Sequence, residues 1–132
     1  MPIYVAGPVI RPVAQPPNWV IECYQVIAAV VRPRFEAQFP VAEPLLERME
    51  AGGFAAELMR RIAGADSMIA VFLPGDQSTP VECALAAAAR KRVLLIFEAR
   101  TKLPRILVGM PGVTTAIYGP DTYGLIVRFL RG

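Results

Sequence analysis

Two short runs, Ser67–Leu73 and Arg92–Phe97, constrain this chain most, because after its first residue each is apolar at every position. A strand that alternates apolar and polar residues hides one face. A strand that does not alternate needs cover on both. Neither of these runs, nor any other apolar stretch of the chain, approaches the roughly 18 residues that a membrane helix requires.

The segments around them alternate between strand-like and helix-like patterns. Ile3–Ala6 is a short apolar strand stopped by Gly7-Pro8. Prolines 12, 16 and 17 make 11–17 an irregular loop. Asn18 opens a helix through Val31, with Val20, Cys23, Tyr24, Ile27, Val30 and Val31 on one face. Arg34–Phe39 reads as a second strand. Pro44 suits the first position of a helix through Met49, and Gly52-Gly53 is expected to separate it from a helix over Phe54–Ile62. After Ser67–Leu73, Pro80–Arg90 is helical and rich in alanine. Beyond Arg92–Phe97 come a short helix within Leu103–Met110, a strand over Val113–Tyr118 and a closing helix over Asp121–Leu130. Strands that alternate with helices and are apolar on both faces predict one α/β domain spanning residues 1–132. Its architecture is a five-stranded, doubly covered parallel sheet of Rossmann or flavodoxin-like type. Ligands of such sheets sit at the carboxyl ends of the strands. Two loops stand there, Gly7–Pro17 and Pro74–Thr79.

Hydrophobic residues make up 55% of the chain. That excess fits a doubly covered sheet or a buried subunit interface. A homodimer or higher homo-oligomer is therefore expected. No basic segment followed by an apolar one opens the chain, so a cytoplasmic protein without a membrane partner is expected. The net charge of +3 is uneven: residues 1–89 hold six basic and nine acidic side chains, residues 90–132 eight and two. The basic third suits either a phosphate-bearing ligand or a solvated face. It lacks the dense basic patch with interleaved aromatics that nucleic-acid binding uses.

The chain has no histidine. That excludes a Ser-His-Asp triad and a Cys-His pair within it. The two cysteines, Cys23 and Cys83, lie in apolar helical patterns, as buried thiols do, and give no metal site. No cofactor is called for. Any acid–base or nucleophilic chemistry falls to carboxylates, Tyr, Lys, Ser or Cys.

The segment Asp76-Gln77-Ser78-Thr79-Pro80-Val81-Glu82 is the candidate working site. With Thr79 as N-cap and Pro80 first in the helix, Thr79-x-x-Glu82 is a capping box, in which Glu82 reaches back to the Thr79 amide. The same placement allows a second reading. First-turn amides and the helix dipole would hold the Glu82 carboxylate ionised, as a nucleophile at neutral pH must be. Beside Asp76, Ser78 and Thr79, it would be placed to attack a sugar carbon as in retaining glycosidases.

Ile3-Tyr4-Val5-Ala6-Gly7-Pro8 resembles the opening strand and loop of the nucleoside 2-deoxyribosyltransferase family, which includes a nucleotide N-glycosidase branch. Ala65-Asp66, the strand after it, Ser78-Thr79-Pro80-Val81-Glu82-Cys83-Ala84-Leu85-Ala86 and Lys91-Arg92-Val93 resemble its second signature. The resemblance implies cleavage or transfer of the N-glycosidic bond of a nucleoside or nucleoside 5′-monophosphate. Glu82 would be the nucleophile, Tyr4 would orient it and Asp76 would hold the sugar. Gly7, Pro8, Ser78 and Thr79 would line the substrate site, and Arg11 would meet a 5′-phosphate. Three departures stand out. Ser78 and Pro80 replace the Gly and Ala of the family's turn. Leu58 stands where members acting on free bases place an aspartate. Ile106-Leu107-Val108 is apolar where a polar residue usually enters the neighbouring subunit's site. The second and third leave room for a non-catalytic nucleotide-binding module on the same fold.

Overall fold

In the computed structural model, which describes residues 2–11 and 15–132, the fully apolar runs become the middle of the sheet. Five strands, β1 (Pro2–Ala6), β2 (Glu36–Gln38), β3 (Ser67–Val71), β4 (Arg92–Phe97) and β5 (Val113–Ile117), are all parallel. Their order is β2-β1-β3-β4-β5, the flavodoxin-like arrangement. β3 sits at the centre and is buried at all five positions.

Alternation along each strand sorts the core into two halves. Ile3, Val5, Ile69, Val71, Leu94 and Ile96 face helices α1 (Asn18–Val31) and α5 (Thr122–Arg131). Tyr4, Ala6, Met68, Ala70, Val93 and Leu95 face α2 (Ala51–Gly64), α3 (Ser78–Ala88) and α4 (Arg105–Val108). Each half closes on an apolar helical stripe, for instance Val20, Cys23, Ile27 and Val31 of α1. The edge strand β5 departs from the two-sided pattern: Thr114, Thr115 and Ile117 are exposed, and no further strand pairs with it among the described residues.

Three local expectations differ from the structure. Gly52-Gly53 does not break the chain, and α2 runs through both residues. Glycine lowers helix stability by only about 1 kcal/mol, which packing of Leu58 and Ile62 offsets. The segment Pro44–Arg48 is a 3-10 turn rather than an α-helix and buries Leu46 alone. And α3 begins at Ser78, two residues before Pro80.

The strand order reverses between β1 and β3. The loops leaving their carboxyl ends diverge, and a crevice opens there. Ile69, at the middle of β3, makes no contact with that crevice and is fully buried. Ile69→Ala is expected to cost about 2–5 kcal/mol, read as a lower urea midpoint with an unchanged slope.

Candidate active site

Tyr4 is fully buried on the α2–α3 face of β1, so its hydroxyl needs a partner inside the fold. It donates to Glu82 Oε1 at 2.5 Å, across 78 residues of sequence. Glu82 projects from the first half of α3, half-buried, into the cleft at the carboxyl ends of β1 and β3. Burial, with the nearby charge of Asp76, raises its carboxyl, and the Tyr4 bond opposes them. The net result is a pKa pushed up to about 7. Tyr4 is held far above the usual phenol range by burial and by the Glu82 charge, so it remains a donor at any working pH.

The capping box does not form. Asp76 lies just ahead of α3 and occupies the capping place: its Oδ1 accepts from the amides of Ser78 and Thr79 at 3.0 and 3.4 Å. Because the helix starts at Ser78, Glu82 lies beyond the free amides of the first turn. The expected ionisation by helix amides is therefore corrected. Glu82 is bonded to a phenol, and its pKa rises instead of falling. Thr79, expected in contact with substrate, is fully buried and does not line the cleft. Its hydroxyl donates to Asp76 Oδ2, which positions that carboxylate.

The cleft has a volume of about 1290 Å³, ample for a small-molecule ligand. Gly7, Pro8, Arg11, Asp76, Ser78 and Glu82 all line it. Gly7 is needed at its place: an added Cβ would sit 2.2 Å from the Tyr24 hydroxyl. That hydroxyl donates to the Pro8 carbonyl at 2.7 Å and so ties down the first loop. Arg11 donates twice to Glu47 Oε1, at 2.9 and 2.7 Å. Leu58 faces the cleft, while Glu57 beside it turns away to Arg60 and Arg61.

Sequence reasoning missed two contributors. Tyr24 was visible as the one hydroxyl in the apolar stripe of α1. Glu47 had no signal, since its contact with Arg11 spans 36 residues between a loop and a 3-10 turn. Among the described residues no group of three or more Cys, Asp or Glu side chains is placed to hold a metal ion. Nor is any helix there long and apolar enough to cross a membrane.

No family model matches the chain, and no curated protein matches it. Solved structures do. A CMP N-glycosidase from Clostridium botulinum superposes with a TM-score of 0.69 over 100% of both chains at 14% identity. A conserved protein from Enterococcus faecalis gives 0.57 over 96% of this chain and 86% of its own, also at 14% identity. At these identities the likeness establishes the shared fold.

The raised carboxyl has a stability consequence. A Glu whose pKa is higher folded than unfolded contributes most below the ordinary value of 4.5, and that contribution is lost as pH rises through about 7. Glu82→Gln keeps an acceptor for Tyr4 without the charge. It is expected to melt at a higher temperature than the wild type at pH 8, with the gap closing toward pH 4.5.

Proposed function

We propose that this chain cleaves the N-glycosidic bond of a nucleoside or nucleoside 5′-monophosphate, with Glu82 as nucleophile. The observation that carries the reading is the buried Tyr4 hydroxyl bonded to a cleft-facing Glu82. A carboxylate held by one oxygen keeps the other for attack on an anomeric carbon. Asp76, fixed by Thr79 and two amides, stands ready to accept sugar hydroxyls. Ser78, Gly7 and Pro8 line the same cleft. Water as acceptor makes the reaction a hydrolysis, and a second base would make it a transfer. Leu58 on the cleft wall supplies no proton to an incoming base, which favours hydrolysis. The fold shared with a CMP N-glycosidase supports the same class of reaction.

Apolar residues exposed on α2, α3 and α4 support self-association. Met59, Val81, Leu85, Ile106 and Val108 are all exposed, with Ile106 at 83%, and the first three also line the cleft, so the face adjoins its mouth. These three helices pack side by side, so the residues share one face of the molecule. A homodimer through this face is part of the proposal, and light scattering at micromolar concentration would report it.

A non-catalytic nucleotide-binding module is the second reading. Leu58 favours it too, because the cleft lacks the acid that family resemblance places there.

Base release followed by chromatography separates the two. The wild type is expected to release base, with kcat/KM rising with pH to a plateau above about 7 as Glu82 ionises. Glu82→Gln is expected to lose about a thousandfold or more, and Tyr4→Phe about ten- to a hundredfold. Ligand-raised melting temperature without any base release would select the binding module.

A further inference from the structure

The charge on the walls of the cleft bears on which substrate it accepts. Arg11 is the one basic residue among the described lining residues, against three acids, Glu47, Asp76 and Glu82. Two nitrogens of Arg11 donate to Glu47 in a solvent-exposed pair, which turns part of the guanidinium away from a ligand. The three residues between Arg11 and Gln15 bring no ionisable side chain. With Arg11 and Glu47 paired, the acids that remain are Asp76 and Glu82, and no unpaired cation stands among the described lining residues. Such a wall repels a phosphate and attracts a cation.

The leaving group faces a matching constraint. A neutral base departs as an anion unless it is protonated, and much of the remaining wall is apolar, including Phe54, Leu58 and Leu85. No lysine or histidine lines the described cleft. The Tyr4 hydroxyl already donates its hydrogen bond to Glu82. Glu82 itself must be ionised to attack. A base that is already positively charged needs no acid, because it leaves neutral.

We infer that this site takes nucleosides whose base carries a formal positive charge, N-ribosylpyridinium or N7-alkylpurine nucleosides without a 5′-phosphate, and that Glu47 sets this choice by holding Arg11. The inference rests on the proposed role of Glu82 and narrows its substrate. In the first step a Glu82 oxygen forms a bond to C1′ while the C1′–N bond breaks. The bonding pair goes to the ring nitrogen and cancels its charge, so the neutral base departs unprotonated. Water then attacks C1′, the ester pair returns to Glu82, and the water's proton passes to solvent.

The test compares base release from nicotinamide riboside, 7-methylguanosine, guanosine, nicotinamide mononucleotide and cytidine 5′-monophosphate. The two cationic nucleosides are expected to exceed the other three by at least about tenfold in kcat/KM. Nicotinamide riboside and its mononucleotide share one leaving group, so their ratio isolates the effect of the phosphate from intrinsic lability. That ratio is expected to shrink in the wild type as sodium chloride is raised toward about 1 M. It is also expected to fall several-fold in Glu47→Gln, chiefly through KM, as Arg11 is released. The wild-type salt series decides the matter should Glu47→Gln fail to fold. A preference for guanosine or for either monophosphate, or a ratio unmoved by salt, overturns this inference while a Glu82-dependent glycosidase stands. Release from none of the five substrates removes both.

Discussion

A parallel strand covered on both faces has room for a polar atom only where that atom finds a partner inside the fold or where the strand ends. This constraint shapes the whole molecule. β3 and the inner positions of β1 and β4 are almost entirely aliphatic, so polar chemistry collects beyond the strand ends at the crevice between β1 and β3. Tyr4 is the exception within β1. Its ring fills the α2–α3 half of the core, and its hydroxyl reaches Glu82 on a helix that starts 74 residues later in the chain. The site is thus anchored to the most rigid part of the sheet, where small displacements of the carboxylate are resisted by core packing.

Electrostatics at that anchor run against the simple picture of a carboxylate steadied by a helix end. Asp76 takes the first amides of α3 and is itself fixed by Thr79. Glu82 is left with burial and a neighbouring negative charge, both opposing ionisation, and with one phenol favouring it. The balance near neutrality means that little energy separates its two protonation states at physiological pH. An unstabilised carboxylate is the more reactive nucleophile, at a cost in folded-state stability. The loop on the opposite wall is organised independently. Gly7 passes over Tyr24 with no space for a side chain, and Tyr24 holds Pro8 by its carbonyl.

Much of this was legible in the residues alone. The unbroken apolar runs, the alternation with helical patterns and the turn residues after β1 and β3 specify a doubly covered parallel sheet and locate its mouth, because hydrophobic period and turn preference are local properties of sequence. Core positions on α1 followed from periodicity, and Val20, Cys23, Tyr24, Ile27, Val30 and Val31 are all buried. Helix starts were less secure. Thr79-x-x-Glu82 satisfies a capping pattern that Asp76 in fact supplies, since two residues competed for the same amides and only the turn geometry chose between them.

The sequence by itself determined the fold class, the place of the crevice and several of the residues that line it, Gly7, Pro8, Arg11, Asp76, Ser78 and Glu82. Only the tertiary structure decided which of those residues touch. Tyr4 meets Glu82 because β1 and β3 are neighbours and α3 packs over them. Arg11 meets Glu47 because the first loop passes the 3-10 turn before α2. Neither pair has a spacing that repeats or a local motif that announces it. Contacts between distant segments depend on strand order and loop path, and those are settled by the packing of the whole chain.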